Sequence, residues 1–373
     1  MNKFDIKNYV RKECRDFEPY VAGNQVETIK RELGLKKVVK LASNENPLGP
    51  SPKAVRAIKE SADKVYFYPD SNSWELKQAV SRMFKLDSAQ VILGSGSDEL
   101  IEDIAKTFFS RGDEIVISEH AFVQYNRAGA LMGCRLVKVP MVGLRHDLRG
   151  MLEAVTKRTK AVFIANPNNP TGTYNTKAEI DRFLKGLNKM GVSPLVVFDE
   201  AYFEFARVNR DYPNSVSYLE SFPNLIILRT FSKIYGLAGL RVGYGFASKD
   251  VVDYINRVRL PFNVSVPAQK AAVASLADKN QVVRSVKLVK EQKMFLYNEF
   301  KKMNVPYVPS AGNFILVDVS PMKGSDVFKQ LLKLGVIVRA MDEYNLPGMV
   351  RVSIGLGEEN KMFIRALKKV RGV

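Results

Sequence analysis

Short apolar runs alternate with segments of helical period through the middle of the chain. Seven runs rich in aliphatic and β-branched residues predict strands, at residues 91–93, 114–118, 135–139, 161–165, 195–198, 225–229 and 241–246. Between several of them, apolar residues recur with the helical period, as in 98–109 and 177–190. Strands that alternate with helices predict a mostly parallel central sheet flanked by helices. Because ligands bind beyond the carboxyl ends of such strands, the residues that follow each strand are the candidates for a site.

The two ends of the chain have a different pattern. Residues 1–45 combine a helical start with a short apolar run at 38–41. Beyond about residue 275, helical segments precede three strand-like runs, at 313–317, 335–338 and 349–354. We therefore predict an α/β protein with a large domain over 46–270, and a smaller α+β domain formed by 271–373 with part of the N-terminal arm 1–45. A site is expected between the two domains.

The charge of the chain is strongly positive, with 57 Lys and Arg against 39 Asp and Glu and a formal net charge of +18. Such a balance indicates nucleic acid, an acidic membrane surface or an anionic substrate as a partner. Nucleic acid is not expected, because the basic residues are spread out and no zinc-finger or RNA-binding motif accompanies them. A membrane is not expected either, because no run approaches the roughly 20 apolar residues of a span. Two cysteines, Cys14 and Cys134, are expected to be free thiols in the cytoplasm.

The first polar strand end is the glycine-rich segment 94–99, which is followed by a helical pattern. Glycines after a strand free backbone N–H groups, and a helix N-terminus favours an anion, so the segment is a candidate phosphate site. It is not a dinucleotide fingerprint, because Glu99 stands where the third glycine belongs, and it is not a Walker A loop. Taken alone, the segment favours Ser97 as a simple helix N-cap.

Three further strand ends carry polar residues. The segment 166–172 holds two prolines and a glycine and fixes several asparagine amides. Asp199 ends an apolar run, so its carboxylate is expected to be half-buried and to need a cationic or hydrogen-bonding partner. Lys233 follows another strand in an apolar, small-residue setting that would lower the pKa of its amine. These strand ends offer a phosphate site, a carboxylate for a ring nitrogen, amide and hydroxyl donors for a phenolic oxygen, and a lysine for an aldehyde. One ligand that needs all of them is pyridoxal 5′-phosphate, and the sequence therefore predicts this cofactor.

At this point the sequence resembles the fold-type I pyridoxal-phosphate aminotransferases, and within them the histidinol-phosphate aminotransferase group. The resemblance runs almost end to end. The motifs that carry it are residues 18–20, 41–52, 68–70, 94–99, 169–172, 199–202, 232–233 and 351–355. Long motifs in a fixed order are far more specific than any one of them alone.

The resemblance implies a role for each cofactor-binding residue. Lys233 resembles the lysine that forms the Schiff base, and Asp199 matches the carboxylate that pairs with the pyridine nitrogen. Tyr202 and Asn169 match the partners of the ring oxygen, and Lys233, Asp199 and Tyr202 are implied to be catalytic. Phe122 falls where an aromatic ring stacks on the cofactor. The residues implied to hold the phosphate are Ser97, Asp98, Thr230, Ser232 and Arg241.

The resemblance also implies a homodimer and a substrate site. Tyr68 resembles a tyrosine that reaches the cofactor phosphate in the partner subunit. Arg351 matches an arginine that binds a carboxylate. Tyr20 and Arg339 resemble residues near the substrate phosphate, and Asn46 is assigned to the substrate as well.

The implied reaction moves the amino group of L-histidinol phosphate to 2-oxoglutarate, giving imidazole acetol phosphate and L-glutamate in histidine biosynthesis. An aromatic amino acid aminotransferase and a threonine-phosphate decarboxylase-like enzyme are alternatives that the sequence separates poorly. A further alternative is a cofactor-binding regulator with a degenerate aminotransferase body. Such a regulator would have lost the Schiff-base lysine, but Lys233 is present. No metal is expected, because His120 and His146 have no cysteine partner. The chain departs from many relatives before Phe122, with His120 and Ala121 where those carry Pro-Thr.

Overall fold

The computed structural model describes residues 5–15, 17 and 26–372. The strands in this part are β1 (Val39–Lys40), β2 (Val91–Gly94), β3 (Glu114–Ser118), β4 (Arg135–Val139), β5 (Met141–Val142), β6 (Arg145–His146), β7 (Thr159–Ala165), β8 (Leu195–Asp199), β9 (Leu225–Thr230), β10 (Gly243–Phe246), β11 (Tyr307–Val308), β12 (Phe314–Asp318), β13 (Val336–Ile337), β14 (Arg339–Ala340) and β15 (Met349–Ser353). The α-helices are α1 (Val26–Leu33), α2 (Pro52–Ser61), α3 (Trp74–Phe84), α4 (Ser97–Phe108), α5 (Val123–Leu131), α6 (Leu148–Glu153), α7 (Lys177–Lys189), α8 (Phe203–Ala206), α9 (Lys249–Val258), α10 (Val266–Leu276), α11 (Lys279–Lys302), α12 (Gly324–Lys333) and α13 (Gly357–Arg371).

Seven strands form the central sheet, in the order β2-β10-β9-β8-β7-β3-β4. The neighbours from β9 to β4 pair in parallel, and β10 is antiparallel to both β2 and β9. Strands such as β3 and β7 are apolar and buried almost throughout, as expected for strands covered on both faces. The predicted α/β class, with a mostly parallel central sheet flanked by helices, is confirmed.

The ends of two elements differ from the prediction for reasons that lie in the backbone. β10 begins at Gly243 instead of residue 241, because Arg241 has a φ of 51° and cannot continue a strand. Helix α4 begins at Ser97 itself, and the N-cap is Gly96, with a φ of 84° and no capping side chain. The prediction of Ser97 as the N-cap was therefore wrong by one residue.

A second, antiparallel sheet near the C-terminus has the order β11-β12-β15-β14, and we call it the C-terminal sheet. Strand β1, from the N-terminal part, pairs in parallel with β13, with Val39 opposite Val336. The N-terminal segment thus joins elements that are about 300 residues away in sequence, as a small domain built from both termini requires. The domain boundaries after residues 45 and 270 stay predictions.

Two further properties of the described residues are the hydropathy of their helices and the state of their cysteines. None of their helices combines the length and the hydropathy that crossing a bilayer would take. Cys14 and Cys134 are free thiols, and burial raises the pKa of the Cys134 thiol to about 11. The Cys134 thiol is therefore protonated at neutral pH and is a poor nucleophile.

Candidate active site

A cavity of about 990 Å³ lies between the central sheet and the C-terminal sheet. The last residues of three neighbouring central strands line it, namely Ala165, Asp199 and Thr230. Arg339 of β14 and Arg351 of β15 line it from the other side. The cavity is therefore at the carboxyl edge of the parallel strands, where ligands bind in such sheets.

Most of the residues predicted for the site meet in this one cavity. Those that line it are Ser97, Asp98, Phe122, Asn169, Asp199, Tyr202, Thr230, Ser232, Lys233, Arg241, Arg339 and Arg351. Their individual roles stay predictions. Tyr20 lies outside the described residues.

Asn46 is placed differently from the prediction, because it does not line the cavity. Its amide nitrogen donates to the carbonyl of Ile234 at 2.7 Å and to the hydroxyl of Ser285 at 2.9 Å. Its amide oxygen accepts from the backbone N–H of Leu48 at 3.0 Å. Asn46 thus fixes its own loop, and Asn44, two residues earlier, faces the cavity instead.

Tyr68 also lies away from the cavity of its own chain. Its side chain is 81% exposed and stacks on Phe262 with ring centroids 4.6 Å apart. Tyr66, Phe67 and Trp74 are exposed as well, by 76%, 63% and 63%. Within a single chain, Tyr66 and Trp74 leave large apolar surfaces open to solvent.

Asp199 is a buried carboxylate at the end of β8. The hydroxyl of Tyr125 donates to Oδ2 at 2.6 Å, and the backbone N–H of Ala201 donates to Oδ1 at 3.1 Å. Burial raises the pKa of Asp199 to about 6, although both hydrogen bonds lower it. A cation in the cavity would stabilise this poorly solvated carboxylate. Tyr125 could not be predicted as the partner of Asp199, because it comes 74 residues earlier on another element.

Lys233 is half-buried, and its ammonium group donates to the carbonyl of Ser43 at 2.9 Å. Burial, and then the charge of Arg351, lower the pKa of Lys233 to about 8. A substantial fraction of the amine is therefore neutral near physiological pH. The neutral amine is the form that attacks a carbonyl carbon.

A chain of hydrogen bonds orients the buried Tyr202. The amide nitrogen of Asn44 donates to the hydroxyl oxygen of Tyr202 at 2.9 Å. The hydroxyl of Ser353 in turn donates to the amide oxygen of Asn44 at 2.9 Å. Because the Tyr202 oxygen already accepts one bond, its own hydrogen can be donated to an oxygen in the cavity. Asn44 was missed because two asparagines so close together in one motif cannot be told apart by pattern.

The N-terminus of α4 meets a guanidinium at one end of the cavity. Gly96 lies against Arg241 so closely that a Cβ atom at Gly96 would collide with the guanidinium group. Ser97 opens the helix with no capping side chain, so the first N–H groups of α4 are open to another acceptor. Backbone donors, the positive end of a helix and an arginine together suit an anion.

Hydroxyl groups complete this end of the cavity. Arg241 donates to the Ser232 hydroxyl at 3.3 Å and to Asp98 Oδ2 at 3.3 Å. The hydroxyl of Thr230 accepts the backbone N–H of Ser232 at 3.0 Å. Burial raises the pKa of Asp98 against the charge of Arg241. The group has the donors that a bound phosphate needs.

Two arginines stand at the opposite end. Arg339 and Arg351 are register partners on the neighbouring strands β14 and β15. Arg339 donates through Nε and a terminal nitrogen to Glu343 Oε1, at 3.1 and 2.7 Å. Arg351 donates to Asn169 Oδ1 at 2.5 Å and to the Ala42 carbonyl at 2.6 Å. Two like charges directly opposite each other favour an anion between them.

The described residues show no cluster of three or more His, Cys, Asp or Glu side chains able to hold a metal ion. His146 is a buried core residue, with Nδ1 2.5 Å from the Ser118 hydroxyl and Nε2 2.9 Å from the Ala165 carbonyl. Burial lowers the pKa of His146 to about 4, so its ring is neutral at physiological pH.

Comparison with known proteins agrees with this geometry. The family model "Aminotransferase class I and II" matches residues 36–367. A histidinol-phosphate aminotransferase of Moorella thermoacetica is 47% identical over 362 residues, covering 96% of this chain and 92% of the relative. Histidinol-phosphate aminotransferase 2 of Carboxydothermus hydrogenoformans is 45% identical over 361 residues, covering 97% and 99%.

Solved structures show the same likeness. The histidinol-phosphate aminotransferase of Sinorhizobium meliloti, solved in complex with pyridoxal-5′-phosphate, superposes with a TM-score of 0.87 at 29% identity and covers 97% of each chain. An aspartate aminotransferase of Thermus thermophilus, solved with maleate, has a TM-score of 0.83 at 19% identity and covers 97% of this chain and 99% of that one. At that identity the second likeness concerns the fold alone.

Proposed function

The chain belongs to the class I and II aminotransferase family, and we propose that it is a pyridoxal-phosphate-dependent histidinol-phosphate aminotransferase. It transfers the amino group of L-histidinol phosphate to 2-oxoglutarate, which is a step of histidine biosynthesis. The relatives at 45–47% identity carry this activity in their names, and they match almost the whole chain.

The donor set of the cavity fits the proposed cofactor. Asp199, a buried carboxylate short of a cation, would hold the protonated ring nitrogen. Tyr202 and Asn169 would hold the ring oxygen, and Phe122, which lines the same cavity, would pack against the ring. When bound, pyridoxal phosphate supplies an electron sink for the electron pair left on the substrate Cα. Its phosphate would lie at the anion site formed by the start of α4 and Arg241.

Lys233 is the residue we assign to proton transfer. Its pKa of about 8, lowered by burial and by the charge of Arg351, lets the amine act as a base near neutral pH. With the cofactor bound, the Lys233 amine would take the proton from the substrate Cα, and the aldehyde-derived carbon of pyridoxal phosphate would be the site that accepts it. The Ser43 carbonyl, 2.9 Å from Nζ, orients the amine.

The observation that carries the choice of substrate is the pairing of Arg339 with Arg351 across β14 and β15. Histidinol phosphate has a phosphate and no carboxylate, and two adjacent guanidinium groups suit a dianion. In the second half of the reaction the same pair would hold a carboxylate of 2-oxoglutarate. The net charge of +18 also favours the approach of such anions.

A spectroscopic half-reaction tests the proposed function. The purified protein is loaded with pyridoxal phosphate, and the loss of its visible absorbance band is followed after addition of L-histidinol phosphate, L-phenylalanine or O-phospho-L-threonine. We expect histidinol phosphate to discharge the band fastest at equal concentration. A faster reaction with phenylalanine would leave the catalytic residues in place but would overturn the proposed substrate.

We further propose that the protein is a cytoplasmic homodimer. The exposed aromatic group of Tyr66, Phe67, Tyr68 and Trp74 supports a subunit contact, since a monomer would leave it in water. The two free thiols, Cys14 and Cys134, are consistent with a reducing compartment. Sedimentation of the wild type as a dimer and of Trp74→Glu as a monomer would support the contact, and a monomeric wild type would exclude it.

A further inference from the structure

His120 forms a direct link between the two walls of the cavity. It lies in the loop between β3 and α5, and its Nδ1 is 2.7 Å from the backbone carbonyl of Tyr344, which follows β14. A carbonyl oxygen only accepts hydrogen bonds, so Nδ1 must carry the hydrogen. The other ring nitrogen, Nε2, is 3.5 Å from the carboxylate of Glu119.

The link connects segments that hold ligand-facing side chains. On one side, His120 stands two residues before Phe122, and its own carbonyl accepts the amide of Asn168 at 3.1 Å. On the other side, Tyr344 directly follows Glu343, the carboxylate that pairs with Arg339. This hydrogen bond therefore ties the loop that carries Phe122 to the segment that orients Arg339.

A small apolar cluster lies near this contact. Val123, at the start of α5, and the nearby Leu144 pack against Leu316, Met341 and Tyr344 of the C-terminal part. Apolar packing is not directional, whereas a hydrogen bond fixes both distance and angle. The His120 bond thus adds a directional contact between the two walls, beside the bond from Arg351 to Asn169.

We propose that His120 is a positioning residue that sets the distance between the Arg339 end of the cavity and the Phe122 loop, and so favours phosphorylated amino donors. The inference rests on the proposed function. His120 itself does not line the cavity, so it acts through the Glu343–Arg339 pair. A donor without a phosphate places no dianion against Arg339 and Arg351 and should be less sensitive to the link.

A set of matched variants tests this. In His120→Gln the side-chain amide is one carbon too far out to replace Nδ1, whereas in His120→Asn the amide nitrogen falls near the Nδ1 position. We expect His120→Gln to raise the KM for L-histidinol phosphate about 5- to 10-fold, as for one lost hydrogen bond, with kcat changed less than about twofold. His120→Asn should restore most of the affinity. The KM for L-phenylalanine should stay within about twofold in both.

Two controls separate this role from a general structural one. Glu119→Gln alters the other side of the imidazole and leaves Nδ1 in place, so its KM values should match the wild type. Equal KM increases for both donors in His120→Gln, or no rescue by His120→Asn, would overturn the inference. Wild-type protein that does not turn over histidinol phosphate would refute the proposed function, and this inference with it. Normal wild-type turnover with an unchanged KM in His120→Gln would refute the inference alone.

Discussion

Arg339 and Arg351 stand directly opposite each other in the antiparallel pair of β14 and β15. Side chains at such positions share one face of the sheet, and like charges there destabilise it. Each guanidinium is held by a partner from outside the pair, Glu343 for Arg339 and Asn169 for Arg351. The strands therefore keep two cations side by side at one end of the cavity, an arrangement that an anionic substrate group stabilises.

Replacing Arg339 should discriminate between donors. We expect Arg339→Gln to lower kcat/KM for L-histidinol phosphate roughly 10- to 150-fold. This factor corresponds to a loss of about 1.5–3 kcal/mol, the range for a hydrogen bond to a charged group. The loss for L-phenylalanine should be much smaller. Steady-state kinetics with both donors measures the difference. Equal losses would remove Arg339 from phosphate recognition.

Local sequence sufficed for the residues at strand ends. Asp199 ends β8 and Lys233 closely follows β9, and these neighbouring parallel strands bring their carboxyl ends to one edge. Burial at this edge raises the pKa of Asp199 and lowers the pKa of Lys233. The local apolar pattern also predicted the bounds of β3 and β4, which the structure confirms.

Residues that act through long-range contacts could not be predicted in this way. Tyr125 meets Asp199 from 74 positions away, and Asn44 meets Tyr202 from 158 positions away. The opposition of Arg339 and Arg351 depends on strand register, which the apolar pattern of two short strands does not specify. The assignment of Asn46 in place of Asn44 has the same origin, since only the folded loop decides which of the two faces the cavity.

Covalent labelling should distinguish the two lysines whose pKa is lowered to about 8. Lys233 lines the cavity, whereas Lys293 of α11 is held by the Ser310 carbonyl at 2.7 Å outside it. After incubation with pyridoxal phosphate and reduction with borohydride, peptide mass spectrometry should find the label on Lys233. Lys233→Ala should lose the label, the visible band and turnover, and Lys293→Met should keep all three. Turnover by Lys233→Ala would refute the Schiff-base assignment.

The buried carboxylate of Asp199 should cost the cofactor-free protein stability. Burial raises its pKa from 3.8 to about 6, so the folded state binds the proton more tightly than the unfolded state does. Between about pH 4 and 6 the folded state therefore holds more protons, and this group's contribution to stability falls as pH rises and stays low above pH 6. Asp199→Asn removes the charge and keeps polar partners for Tyr125 and Ala201.

We expect cofactor-free Asp199→Asn to be more stable than the wild type above pH 6 by up to about 3 kcal/mol, since one pKa unit corresponds to about 1.36 kcal/mol. The difference should vanish below about pH 4. Urea unfolding of both proteins across this range measures it. The same variant should bind pyridoxal phosphate more weakly, because it lacks the charge that pairs with the ring nitrogen. A wild type that is the more stable of the two above pH 6 would contradict the burial argument.

Alanine variants of two glycines, Gly96 and Gly112, give a matched test of the anion site at the start of α4. Gly96 has a φ of 84°, and a Cβ there would also collide with the Arg241 guanidinium. Gly112 has a φ of 91° but open space around it, so Gly112→Ala introduces backbone strain without a collision. Both alanine variants should lose about 1–3 kcal/mol of stability from the strained backbone.

Only Gly96→Ala should also displace Arg241, and we expect its dissociation constant for pyridoxal phosphate to rise at least about 10-fold, as for one lost charged hydrogen bond. Fluorescence titration with the cofactor at 25 °C measures both variants under the same conditions. Equal affinities in the two would show that Arg241 does not hold the phosphate, because the strain is common to both and the displaced guanidinium is not.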